Sequence, residues 1–259
     1  MSGGKATKNM FGKAGNLVRA LLRRTGSGRE PWQAVVARCQ REITELDPES
    51  GYAKAYRDKE MYCWLPIPEW IQEDGSRGPE HKTLDIGYGY GTLAAYCQKV
   101  LGGQVYCIDH VPFYYFTDKL IQRYGFQLAV CNMELDPFPW DVRFDTILFT
   151  EVLEHFNFHP LPTLRKIRGL LSEGGRAYLS TPDASAWGRV TKYYGRLEEI
   201  PQPGTVRPEK FIDDHVYQYS EDELMGLVES AGFTVTRRAH APGFPGTNCR
   251  HFALTLRGT

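Results

Sequence analysis

The chain has 259 residues and a mass of 29.5 kDa, with 42% hydrophobic and 13% aromatic residues, enough for one sizeable core and too much for a disordered or collagen-like chain. Its 31 basic and 31 acidic residues cancel, so bulk charge points to no polyanionic partner. The balance is uneven: residues 1–29 carry seven basic residues and no acid, which leaves residues 30–259 with a net charge of −7, a poor general surface for nucleic acid.

The predicted organisation begins with a flexible basic tail over residues 1–30, punctuated by Gly3-Gly4 and Gly26-Ser27-Gly28. Within it, residues 8–24 can place Phe11, Leu17, Val18, Leu21 and Leu22 on one face of a short basic helix. A solvated tail, weak contact with a membrane surface and a transit-peptide composition are the readings of that segment. Residues 31–79 read as a helical, aromatic arm. Trp32, Val35, Val36, Cys39, Ile43 and Leu46 fall at helical spacing, and Tyr52, Tyr56, Tyr62, Trp64 and Trp70 follow. Residues 73–79 form a linker. Strands are predicted at 82–86, 104–109, 126–131, 144–150, 175–180, 233–239 and 250–256, and helices at 91–101, 112–124, 160–171 and 220–231. This alternation makes an α/β fold with a mostly parallel sheet, closed by two strands that pair antiparallel through a Pro/Gly loop. No apolar run reaches the ~18 residues of a membrane span. The six cysteines form no CxxC pair, which fits reduced thiols and a cytoplasmic location.

Chemistry concentrates at the strand ends. Asp85-Ile86-Gly87-Tyr88-Gly89-Tyr90-Gly91 sits at a strand-to-helix junction, where glycines let a ligand approach backbone N–H groups. Thr92 stands where a dinucleotide fingerprint has its third glycine, which disfavours an oxidoreductase. The next predicted strand ends in Asp109, which can accept from both hydroxyls of a ribose. Loop and acid together specify a nucleoside-containing ligand.

These residues resemble the class I S-adenosylmethionine-dependent methyltransferases from about residue 80 to the C-terminus. Residues 85–91 look like their first motif and Asp109 like their ribose-binding acid. Residues 131–138, with Asn132 and Met133, resemble the adenine-side loop, and residues 144–156 are similar to the fourth-strand signature. The resemblance implies a Rossmann-like, seven-stranded, mostly parallel sheet with an antiparallel C-terminal hairpin and helices on both faces. It also implies a methyl-donor site of Asp85, Gly87, Tyr88, Gly89, Gly91, Asp109, His110, Asn132, Met133, Thr150 and Glu151. Glu151-Val152-Leu153-Glu154-His155 is similar to a segment of ubiquinone-pathway O-methyltransferases and of RNA 3′-terminal 2′-O-methyltransferases, in which such groups hold Mg²⁺. His215, 60 residues after His155, takes the place of the RNA enzymes' second histidine. On a helical turn, positions 151, 154 and 155 share one face. Glu151, Glu154, His155 and His215 are therefore the candidate metal set, and Glu154, His155 and His215 the candidate catalytic groups. The arm and an insertion over residues 183–214 are expected to cover the strand ends as a lid. The expected reaction is O-methylation of a small or medium-sized acceptor: aromatic, lipid or sugar. The alternatives are a metal-dependent RNA 2′-O-methyltransferase and a catalytically silent nucleoside-binding relative. Nucleic acid is not the expected partner, and the oligomeric state is left open.

Overall fold

A computed structural model describes residues 30–74, 78–111, 117–188, 192–204, 211, 212, 214–244 and 246–259. The expected basic tail and its residue 8–24 helix lie outside the described residues. In chain order the elements are α1 (Trp32–Leu46), a π-helical turn (Tyr52–Tyr56), α2 (Met61–Trp64), α3 (Ile67–Asp74), β1 (Lys82–Ile86), α4 (Thr92–Leu101) and β2 (Gln104–Asp109). They continue with α5 (Thr117–Tyr124), β3 (Gln127–Val130), β4 (Phe144–Thr150), α6 (Pro160–Gly169), β5 (Leu171–Pro182), α7 (Ala184–Trp187), α8 (Glu221–Ser230), β6 (Phe233–Ala241) and β7 (His251–Gly258).

The described strands form one seven-stranded sheet in the order β3-β2-β1-β4-β5-β7-β6. The first five pair in parallel, and β7 pairs antiparallel with both β5 and β6. Alternate side chains along β4 feed opposite faces, as strand pleating requires. Ile147 and Phe149 join a core with Leu84, Ile108 and Leu179, packed under α6 and α8. Leu148 joins a second core with Val105, Cys107 and Tyr178, which α1 and α4 complete with Val36, Ile43, Ala94 and Tyr96. The arm thus shares one core with the sheet. β5 runs longer than the predicted 175–180 at both ends: Leu171 pairs with Phe144 of β4, and β7 pairs along it to Pro182.

Two sequence-readable signals set the last helix. Ser220 accepts from the Glu223 backbone N–H, and the Glu223 carboxylate accepts from Ser220, a reciprocal capping box that opens α8. Among the described residues, no helix is long and apolar enough to cross a membrane.

The chain reverses its direction of sheet growth at β1, which lies between β2 and β4. At such a switch point the loops leave the strand ends in opposite directions and open a crevice.

Candidate active site

The crevice is floored by the loop that follows β1. Gly87, Gly89 and Gly91 have φ of 67°, 52° and 80°, the left-handed region where a side chain is strained. The Gly87 N–H donates to the Ile108 carbonyl at 2.8 Å, and the Gly91 N–H to the Tyr88 carbonyl at 2.7 Å, which closes the turn before α4. The glycines serve different ends. A Cβ on Gly87 would stand 2.5 Å from Val152 Cγ2; one on Gly89 would meet nothing within 4 Å, leaving room for a ligand. Gly91 borders neither hollow of the crevice; its missing Cβ makes room for Leu120 Cδ1, which would be 3.3 Å away.

Two hollows meet at Gly87. The larger, about 530 Å³, is bordered by Asp109, His110, Asn132, Met133 and His155 among others. The smaller, about 400 Å³, is bordered by Asp85, Tyr88, Gly89, Glu60, Thr150 and Glu151 among others. Asp109 ends β2 and is buried; one of its oxygens accepts from the His110 backbone N–H at 2.8 Å. Asn132 Oδ1 accepts from the Glu134 N–H at 2.8 Å, so this side chain braces its own loop. Met133 is buried and packs into the sheet core. Asp85 lies fully inside, and burial, with the nearby Asp109 charge, pushes its carboxyl up to about 8.

The segment after β4 departs from the expected helical turn. Glu151 has φ 57°, the sole positive φ of a non-glycine residue among the described residues, and a short 3₁₀ turn over Leu153–His155 follows. This geometry splits the expected four-residue metal set. Glu151 turns to the β5 side: Ser180 Oγ donates to Glu151 Oε1 at 2.7 Å, and His251 Nδ1 lies 2.7 Å from Glu151 Oε2. Glu154 meets the next residue of β5. Thr181 Oγ1 donates to its Oε2 at 2.9 Å, while its Oε1 is buried without a hydrogen-bond partner among the described residues. Glu154, His155 and His215 do come together, with donor atoms within 4.8 Å of one another. The two imidazoles stand edge to face with centroids 4.9 Å apart. That set does not fit Mg²⁺, which prefers an octahedron of oxygens; here one carboxylate meets two imidazoles.

The Glu154 carbonyl accepts from the Val216 and Tyr217 N–H groups at 2.7 and 3.2 Å, which fixes His215 beside His155. Burial holds the His215 imidazole below its ordinary value, so it is neutral near pH 7. His155 borders the larger hollow, whereas Glu154 and His215 border neither.

Several polar groups of the crevice were not singled out from the sequence. Glu60, in the arm, is 3% exposed and accepts from Tyr52 Oη and Gln40 Nε2, both at 2.8 Å; burial pushes it up to about 7. Glu134 accepts from the Asn157 and Phe158 N–H groups at 3.0 and 2.8 Å and pins the loop after β4. His251, which has no local partner in the sequence, meets Glu151 across 100 positions. The one sequence signal for Glu60 is an acid inside an aromatic run, where an unpaired charge is costly.

A family model described as a methyltransferase domain matches residues 38–238. The chain belongs to this methyltransferase family. Solved structures agree in fold. The 1,6-didemethyltoxoflavin-N1-methyltransferase of Burkholderia thailandensis, with bound 1,6-didemethyltoxoflavin and S-adenosylhomocysteine, is 20% identical with a TM-score of 0.57, over 91% of this chain and 93% of that one. The N-terminal domain of EvdMO1, in the presence of S-adenosylhomocysteine and D-fucose, is 16% identical with a TM-score of 0.55, over 91% and 100%. A TehB-like S-adenosylmethionine-dependent methyltransferase of Corynebacterium glutamicum is 16% identical with a TM-score of 0.53, over 86% and 99%. No curated protein matches the chain. By family the chain is a methyltransferase, and its fold is that of solved S-adenosylmethionine-dependent methyltransferases. The methyltransferase match begins inside α1, so most of the arm falls within the matched region.

Proposed function

We propose that this methyltransferase takes its methyl group from S-adenosylmethionine and delivers it to a hydroxyl of a small or medium-sized organic acceptor. The observation that carries the reading is the pair of hollows joined at Gly87, with Asp109 on one side and Glu60, Thr150 and Glu151 on the other. The donor's ribose sits on Asp109, its adenine against Met133 beside Asn132, and its ammonium end in the smaller hollow, where buried carboxyls compensate a cation.

The donor is already activated, so the protein's work is alignment and exclusion of water. The acceptor oxygen attacks the methyl carbon in line, the carbon–sulfur bond breaks, and its electron pair stays on sulfur as a neutral thioether. The hydroxyl proton passes to His155 at the wall of the larger hollow. His215, packed edge to face at 4.9 Å, holds that ring in place. Trp187 and Phe244 pack edge to face with each other and with His251, and such aromatic faces suit an organic acceptor. The similar folds solved with a heteroaromatic compound and with D-fucose are in keeping with that acceptor class.

Calorimetry with S-adenosylhomocysteine against NAD tests the donor. Transfer of labelled methyl to extract fractionated into RNA, lipid, glycan and small-molecule pools tests the acceptor. Label in the small-molecule, lipid or glycan pool is expected. Binding of NAD alone, or label confined to RNA, overturns the reading.

A further inference from the structure

Three chain-distant points converge beside the smaller hollow. Cys63 lies on α2, Glu151 follows β4, and His251 opens β7; one donor atom of each lies within 4.8 Å of the other two. Cys63 and His251 are 6% and 2% exposed. Both ring nitrogens of His251 are buried without a hydrogen-bond partner among the described residues, although Nδ1 is only 2.7 Å from Glu151 Oε2. Orphaned imidazole nitrogens in a core are costly. A cation among these donors would satisfy the lone pairs that the protein leaves unmatched. With metal–nitrogen and metal–oxygen bonds of about 2.0–2.1 Å, a tetrahedral ion holds two ligand atoms roughly 3.3 Å apart, so binding opens this pair by about 0.6 Å.

We propose that Cys63, Glu151 and His251 form a three-ligand site for Zn²⁺. One thiolate, one imidazole and one carboxylate are a donor set for a borderline ion, and three protein ligands leave a fourth position for water or a donor atom of a bound molecule. Ser180 holds the other Glu151 oxygen and so orients the ligating one. At this left-handed turn the Glu151 carboxylate meets His251 of β7. Trp187 stands edge to face over the His251 ring at 5.2 Å and shields it from water. The site shares no ligand with the Glu154, His155 and His215 group.

The full chain, stripped with a chelator, is reloaded with Zn²⁺, passed through gel filtration and analysed by elemental mass spectrometry. About one Zn²⁺ per chain is expected, falling at least about ten-fold in Cys63→Ser and in His251→Gln, and unchanged in Cys249→Ser. Circular dichroism confirms that each variant is folded. Co²⁺ added to the stripped native chain gives a second readout that needs no variant: a thiolate-to-metal charge-transfer band. No retained zinc and no cobalt band overturns the proposal, as does zinc loss that tracks His155→Gln or His215→Gln instead. Metal retention is read without methyl transfer, so its failure is separate from failure of the donor reading.

Discussion

Gly87 is the position at which the crevice tolerates least. Alanine there must hold φ near 67°, which costs about 1–2 kcal/mol for a residue with a Cβ. Its Cβ would also stand 2.5 Å from Val152 Cγ2, well inside the ~3.5–4.0 Å optimum of carbon contacts. Overpacking of this kind costs about 1–3 kcal/mol. Gly87→Ala is therefore expected to destabilise the fold by about 2–5 kcal/mol. Gly89→Ala meets nothing within 4 Å and should cost only the backbone part, about 1–2 kcal/mol. The steric part is separable, because Val152→Ala removes the offending methyl. In that background Gly87→Ala should fall to the cost of Gly89→Ala, a coupling of about 1–3 kcal/mol. Urea denaturation of the four variants measures it. Equal costs at the two glycines, or no rescue by Val152→Ala, would refute the assignment of the Gly87 contact.

Other expectations follow from the same geometry. Asp109→Ala removes a charged acceptor for two hydroxyls, so S-adenosylhomocysteine affinity should fall by about 3 kcal/mol or more, roughly two orders of magnitude in Kd by calorimetry. His155→Ala should lower kcat by about 10²–10⁴ with Kd for S-adenosylhomocysteine little changed; equal turnover in the variant removes it as the proton acceptor. His215→Ala should also lower kcat more than Kd, and His215→Gln, which keeps a planar polar side chain beside His155, should recover part of the loss. Stability of the ligand-free protein should fall as pH rises from 6.5 to 8. Burial pushes the carboxyls of Asp85 and Glu151 up to about 8 when folded, against ordinary values of 3.8 and 4.5, so the folded state binds more protons over this range and loses stability as they leave. His215 and His251, depressed in the folded state, act in the opposite sense only below about 6.5. A melting temperature that climbs between pH 6.5 and 8 would contradict the burial of these acids.

The sheet was legible because its strands are short apolar runs set between helical periods, and because glycines mark where β1 turns over. Asp109, Thr150, Gly87 and Gly89 were readable for the same reason: they sit at strand ends, where position follows from chain order. The Glu151–His155 segment was misjudged as a helical turn, because spacing reveals a face only when the period is known. One left-handed residue changed the period, so that Glu151 bonds Ser180 and Glu154 bonds Thr181. Glu60 and His251 were not readable as site residues. Their neighbours in space, Gln40 and Tyr52 for one and Glu151 for the other, are set by packing of the arm and by insertion of β7. The arm's aromatic residues were noticed, but composition did not say that Tyr56 and Trp64 would border the smaller hollow.

The position of β7 bears on how the molecule comes into being. Among the described residues, β6 touches the rest of the sheet only through β7, and β5 presents a bare edge until β7 arrives. During synthesis the nucleoside-binding half can assemble as soon as β4 is made, but the last strand must slot between two that have waited for it, a closure of high contact order. The same event brings His251 to Glu151. A ribosome-bound chain stalled before residue 251 would hold the donor-side loop without its finished wall, and its open β5 edge would invite pairing with a neighbouring nascent chain.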